Sequence, residues 1–192
     1  MESRTTAQET TTQAPGEILQ LGDPRLRWPS KAVPDARAAG VRVVLARLHL
    51  ALGAFRAQHG FGRAMAAPQL GVRLRLVAFD LGRGPRALIN PRITARSEAS
   101  FTLWDDCLCF PDVLVRVRRA RSITIAFEDE RGHEQTWRDL APAEAELFQH
   151  ELDHLDGVLA VDRAVDAESL VTRGEFERER ERFEALVDGP KA

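Results

Sequence analysis

His150-Glu151-Leu152-Asp153-His154 constrains this 192-residue chain more than any other stretch. Residues four apart on an α-helix lie about 40° apart around its axis and about 6 Å along it. Two imidazoles at that spacing on a helix can therefore converge on one metal ion. Glu151, beside one of them, can reach the open coordination position of such an ion and act on water there. Leu147, Phe148, Leu152 and Leu155 give the same helix an apolar face, so it is partly buried, and unliganded histidines there would be awkward. An exposed, charged helix with two incidental histidines is the bland alternative, and the apolar face argues against it.

At this length one domain with a substantial core is expected. The 44% hydrophobic and 29% charged fractions fit an ordinary globular protein. No apolar run approaches the roughly 20 residues of a membrane span, and the first residues lack the apolar stretch of a signal peptide. A cytoplasmic location follows as an expectation. The formal net charge of −2 argues against direct nucleic-acid binding as the main business, although local patches survive such averaging. All basic residues except Lys31 and Lys191 are arginine, which reads as codon bias. Cys107 and Cys109 are too close for an unstrained disulfide, so two thiols point to metal or catalysis instead.

Along the chain, residues 1–15 are polar and predict a disordered tail. Asp35 is placed to cap a helix in which Val41, Val44, Leu45, Leu48, Leu52 and Phe55 recur until Gly60. Gly60 to Gly71 reads as a Gly/Ala-rich loop. Period-two patterns predict strands over Val72–Asp80, Ala87–Asn90, Ile93–Trp104 and Val113–Phe127. Asp129 to Gly132 is a hairpin turn into a strand through Trp137. Pro142 begins the metal helix and Gly157 follows its end. Glu175–Val187 alternates Glu and Arg around Phe176, Phe183 and Leu186, which predicts one solvated amphipathic helix. The fold class is α+β: a long amino-terminal helix, antiparallel β-sheets around a central metal-binding His-Glu-x-x-His helix, and a carboxy-terminal helix.

A catalytic zinc-type centre has three protein ligands and one open position. Besides His150 and His154, the third is an Asp, Glu, His or Cys supplied by the fold. Cys107 is favoured, because it lies in a tight polar break between strand patterns and a thiolate suits borderline divalent metals. Taken alone, such a cysteine also reads as a small buried hydrophobe.

Three ordered segments carry a resemblance: Gly62 to Gly71 (Gly-Arg-Ala-Met-Ala-Ala-Pro-Gln-Leu-Gly), Cys107-Leu108, and Gln149 to Gly157. Together with Ile18 to Arg27, Asn90-Pro91 and Asp162-Arg163, they resemble the peptide deformylase family over roughly residues 17 to 165. The resemblance implies a catalytic domain over residues 16–165 and a charged helical extension over residues 166–192. It implies that Cys107, His150 and His154 hold one divalent ion, ferrous iron first and zinc or another as the alternative. A bound ion makes hydroxide available near neutral pH. Glu151 would take the water's proton and return it to the departing amine. The side-chain amide of Gln69 and the N–H of Leu108 would donate to the developing oxyanion. The substrate would be a formyl-methionyl peptide or nascent chain, handled near the ribosome, and the products formate and a free amino terminus. Gln69 could instead only satisfy loop backbone groups. Asp153 reads as an orienting carboxylate. His49, His59 and His133 are assigned nothing.

The chain departs from the family pattern around the expected substrate contacts Gly62, Arg63, Ala64, Asp106 and Glu146. The usual Glu-Gly-Cys-Leu-Ser reads Asp105-Asp106-Cys107-Leu108-Cys109, which adds a charge and a second thiol. Arg63 stands where an aliphatic residue borders the methionine pocket, and Ala64 replaces a glycine. Glu146, one turn before His150, is placed to pair with Arg63 at the pocket mouth. Two alternatives follow. One is a divergent relative with another formylated substrate, or one that binds without turnover. The other is an ordinary metallopeptidase, disfavoured because no histidine follows His154.

Overall fold

The structure, a computed structural model, describes residues 16–190. The tail expected over residues 1–15 lies outside the described residues. Helix α1, Ala39–His59, buries the stripe Val41, Leu45, Leu48, Leu52 and Phe55, as its 3.6-residue periodicity requires. Gly60 ends it in the left-handed conformation (φ 79°), its N–H bonded to the carbonyl of Arg56. Asp35 does not cap this helix. The Asp35 carboxylate instead accepts the Arg37 N–H at 3.0 Å in a local turn, and Ala38 stands at the cap without a side-chain bond.

Among the described residues, eight strands form two antiparallel sheets. The larger runs β1-β2-β3-β6-β7, made of Ala64–Ala66, Leu76–Phe79, Arg86–Arg96, Ile123–Glu128 and Glu134–Leu140. The smaller runs β4-β5-β8, from Ser100–Asp106, Val113–Ala120 and Leu170–Thr172. The expected loop Gly60 to Gly71 therefore contains a strand, β1, and a 3-10 turn over Ala67–Leu70. Alanine is a weak strand former, and tertiary pairing with β2 overrides that preference.

The runs expected over Ile93–Trp104 and Val113–Phe127 each divide between the two sheets. Residues 97–99 and 121–122 make the crossings, pinned to each other by Ser97 N–H to Ser122 O at 2.9 Å and Ser122 N–H to Ser97 Oγ at 3.0 Å. Each crossing bends, at Glu98 and at Arg121, but the alternation of apolar residues on either side carries no mark of the change of sheet.

Helix α2, Pro142–Leu155, carries the His-Glu-x-x-His segment. Pro142 occupies its first turn, where a missing N–H costs nothing. Ala145, Phe148, Leu152 and Leu155 enter a core shared with Ile123, Ile125 and Leu140 of the larger sheet. The Gln149 amide ties the opposite flank to the end of β5, donating to Ala120 O and accepting from Ala120 N–H, both at 3.0 Å. The helix is thereby held between the two sheets. Gly157 follows at φ 76°, and a Cβ there would lie 2.4 Å from the carbonyl oxygen of Arg27.

The single helix expected over Glu175–Val187 is two, α3 (Arg173–Arg178) and α4 (Arg180–Glu184), divided at Glu179. An unbroken helix separates positions 176 and 183 by about 10 Å along its axis. The break brings the rings of Phe176 and Phe183 to 5.8 Å, and both meet Trp104 edge-on. Trp104 Nε1–H donates to the carbonyl of Phe183 at 2.8 Å, which fastens the segment to the smaller sheet.

Candidate active site

The end of β4, the turn after it, β1 and helix α2 converge on a cavity of about 490 Å³. Its lining includes Leu108, His150 and Glu151, and also Gly62, Arg63, Ala64, Asp106 and Glu146. Cys107, His154 and Gln69 do not line it; they are buried beside it.

Cys107 Sγ lies 3.3 Å from His154 Nε2. Two ligands at zinc-like bond lengths and tetrahedral angles stand about 3.5 Å apart, so this pair is spaced as if to share an ion. The donor atoms of Cys107, Cys109 and His154 all fall within 4.8 Å of one another. His150 lies outside that trio, its ring 4.9 Å from that of His154. The expected set had His150 and lacked Cys109, so the chain offers four donors where three were anticipated. They are soft sulfur and borderline imidazole, which fits a transition-metal dication. The site also contains an orphaned donor or acceptor on the second histidine, since the buried Nδ1 of His154 has no partner.

His150 turns its Nδ1 to Asp105, at 2.9 Å and 3.0 Å from the two carboxylate oxygens, which leaves Nε2 for another purpose. Burial alone would depress the His150 pKa, but the Asp105 charge overrides it and lifts the value to about 9. Asp105 is held well below the usual carboxylate range by His150 and Arg119, against the cost of its own burial. Arg119, also buried, donates to Asp105 at 2.9 Å and pairs with Asp153, which Arg163 holds at 2.8 Å. Asp153 thus connects to His150 only through Arg119 and Asp105. Arg119 was missed, although period two along β5 places it on the buried face with Val115 and Val117.

Burial pushes the Glu151 carboxyl up to about 7, and its Oε2 has no hydrogen-bond partner. Gln69 divides its amide: Oε1 accepts Ala66 N–H at 2.7 Å, and Nε2 faces Cys109 Sγ at 3.6 Å. Burial raises the Cys107 thiol, with Cys109 adding to it. Glu146 is buried and ion-paired with Arg63, which also donates to Ala143 O at 3.0 Å. Burial raises the Glu146 pKa against the pull of Arg63. Asp106 is raised by burial and by neighbouring Asp105, and it meets Arg173 at 3.2 Å. Arg173, whose guanidinium also lies 4.1 Å over the Phe61 ring, arrives from the far end of the chain and carries no local signal.

The fold mixes helix with antiparallel sheet, and a helix-borne Glu and His line a cavity with two sulfur donors and a second imidazole buried beside it, an arrangement suited to a metal-dependent hydrolase. The family model described as polypeptide deformylase matches residues 15–169. The chain belongs to the polypeptide deformylase family. Peptide deformylase of Thermotoga neapolitana is 35% identical over 156 residues, spanning 81% of this chain and 91% of that protein. Its counterpart in Synechocystis is 35% identical over 169 residues, spanning 83% and 87%. The crystal structure of the Thermotoga maritima enzyme superposes with a TM-score of 0.72 at 32% identity, covering 80% of this chain and all of that one (100%). The Synechococcus elongatus enzyme in complex with actinonin gives 0.73 at 28% identity, covering 96% and 94%.

Proposed function

We propose that the protein hydrolyses the N-formyl group from the amino-terminal residue of peptides or nascent chains, releasing formate. The observation that carries this reading is Glu151, a buried carboxyl with one oxygen unengaged, poised near neutrality beside His150 on the cavity wall. Cys107, His150 and His154 would hold one divalent ion, ferrous iron or zinc, with Cys109 in reach. When bound, it supplies Lewis acidity and a water of low pKa. The pairing of His150 with Asp105 fixes that ring so that Nε2 is the nitrogen left for ligation.

Glu151 accepts the proton of the attacking water on its free oxygen and delivers it to the leaving amine. The N–H of Leu108 and the Nε2 of Gln69 donate to the oxygen of the tetrahedral intermediate, each worth about 3 kcal/mol. Gln69 must turn from Cys109 to do so. Strand β1 is an edge of its sheet, so the backbone from Gly62 to Ala66 can pair with an extended peptide. Arg63, Asp106 and Glu146 surround the formylated residue's side chain. The catalytic unit of residues 16–165 is completed by the segment from residue 166 onward, which brings Arg173 to Asp106. We place this activity in the cytoplasm, where nascent chains emerge near the ribosome. No helix of the described residues is long and apolar enough to cross a membrane.

A second reading concerns specificity alone. The buried Glu146 paired with Arg63 makes the cavity more polar than a methionine side chain requires, which favours a formylated residue with hydrogen-bonding groups.

Formate release from formyl-Met-Ala-Ser, by protein purified without oxygen and loaded with ferrous iron, tests the main reading. Turnover is expected in the wild type and a loss of about 100-fold or more in Glu151→Gln. A fully metal-loaded wild type without turnover on any formyl peptide would sink it.

A further inference from the structure

A second cavity, of about 570 Å³, lies on the other flank of α2, away from the candidate active site. Six arginines line it: Arg75, Arg92, Arg96, Arg118, Arg119 and Arg163. Only two carboxylates, Asp153 and Asp156, share it. Three of the arginines are already balanced. Arg75 pairs with Asp156 at 2.6 Å, Arg163 with Asp153 at 2.8 Å, and Arg119 with Asp105 and Asp153. Arg92, Arg96 and Arg118 form no ion pair among the described residues. The Nε–H of buried Arg119 also lacks an acceptor, leaving one more donor unspent in the wall.

Arginine in itself says little in a chain with only Lys31 and Lys191 besides. The clustering is informative. A chain of net charge −2 gathers three guanidinium groups outside any ion pair, from two strands of different sheets, β3 and β5, in the lining of one concavity; of these, Arg118 also reaches Ser100 Oγ at 3.5 Å and feels the charge of Asp188. Like charges so placed repel one another, and a multivalent anion removes that repulsion while its oxygens fit the planar guanidinium forks. We propose that this cavity binds a small polyphosphate, the di- or triphosphate group of a metabolite. The volume suits a ligand of that size. Its concave form separates it from the open track that a single-stranded nucleic-acid backbone needs. This site is independent of the deformylase reading.

The test is isothermal titration of sodium tripolyphosphate into the metal-loaded full chain, at low and at physiological ionic strength. One-to-one binding that weakens with salt is expected in the wild type. The exposed pair Arg92→Ser and Arg96→Ser together should weaken it by about tenfold or more, with Arg118→Ser as a second variant giving a smaller loss. Metal content and formate release should be unchanged in both. Equal heats in wild type and variants would mean that tripolyphosphate merely sequesters metal, and the proposal falls. It falls equally if nothing binds, or if a single-stranded RNA oligomer binds through these arginines while tripolyphosphate does not.

Discussion

Cys109 is where the residue-level chemistry is sharpest. It is fully buried, within ligand range of Cys107 and His154, and it takes the amide donor of Gln69. Two donor sets are available to an ion, one completed by His150 and one by Cys109. Metal analysis after exhaustive dialysis separates them. Cys107→Ser should lose its metal, whereas Cys109→Ser should keep one equivalent. Equal loss in both would make Cys109 an obligatory ligand. Arg63 and Glu146 decide a different matter, what side chain fits. Replacing them together with Ile and Leu removes a buried ion pair from the pocket, and kcat/KM for a formyl-methionyl peptide should rise by about tenfold. An unchanged value would remove these two residues from specificity.

Among the elements, α2 is tied to β5 through the contacts of Gln149 with Ala120 and of Asp153 with Arg119. Arg119 on β5 connects Asp153 on the helix to Asp105 on β4, and Asp105 fixes His150. Arg119→Met keeps much of the side-chain volume but strands two acidic groups, at a cost of about 3–5 kcal/mol. Urea unfolding measures it, and a change below about 1 kcal/mol would show that the relay adds nothing to stability. The same elements explain what could be read from the chain alone. The His-Glu-x-x-His helix was legible because its two histidines and its apolar face share one 3.6-residue period. The division of Val113–Phe127 was not, since a strand that changes sheets keeps its period of two. Strand β1 was hidden by alanines, whose preference is weak and whose placement is decided by partners distant in sequence. Arg173 was invisible for the same reason: its meeting with Asp106 spans the chain from one end of the site to the other.

For the whole molecule, the donors joined by one ion would come from the turn after β4 and from α2, so metal binding is also folding energy. Removing the ion with a chelator should lower Tm by about 10 °C, the effect expected when free metal stands near a thousand times its Kd. Zinc should restore it, and a Tm indifferent to chelation would place the site outside the folding unit. Arg119 has one more consequence. It borders the arginine cavity on one flank of α2, and through Asp105 it supports the histidine on the other. A single guanidinium therefore serves two chambers. Any anion that draws it outward loosens its grip on Asp105, and thermodynamic reciprocity makes the converse hold by the same factor. If the cavity takes such an anion, the metal affinity and the anion affinity would be two readings of one equilibrium, the position of Arg119.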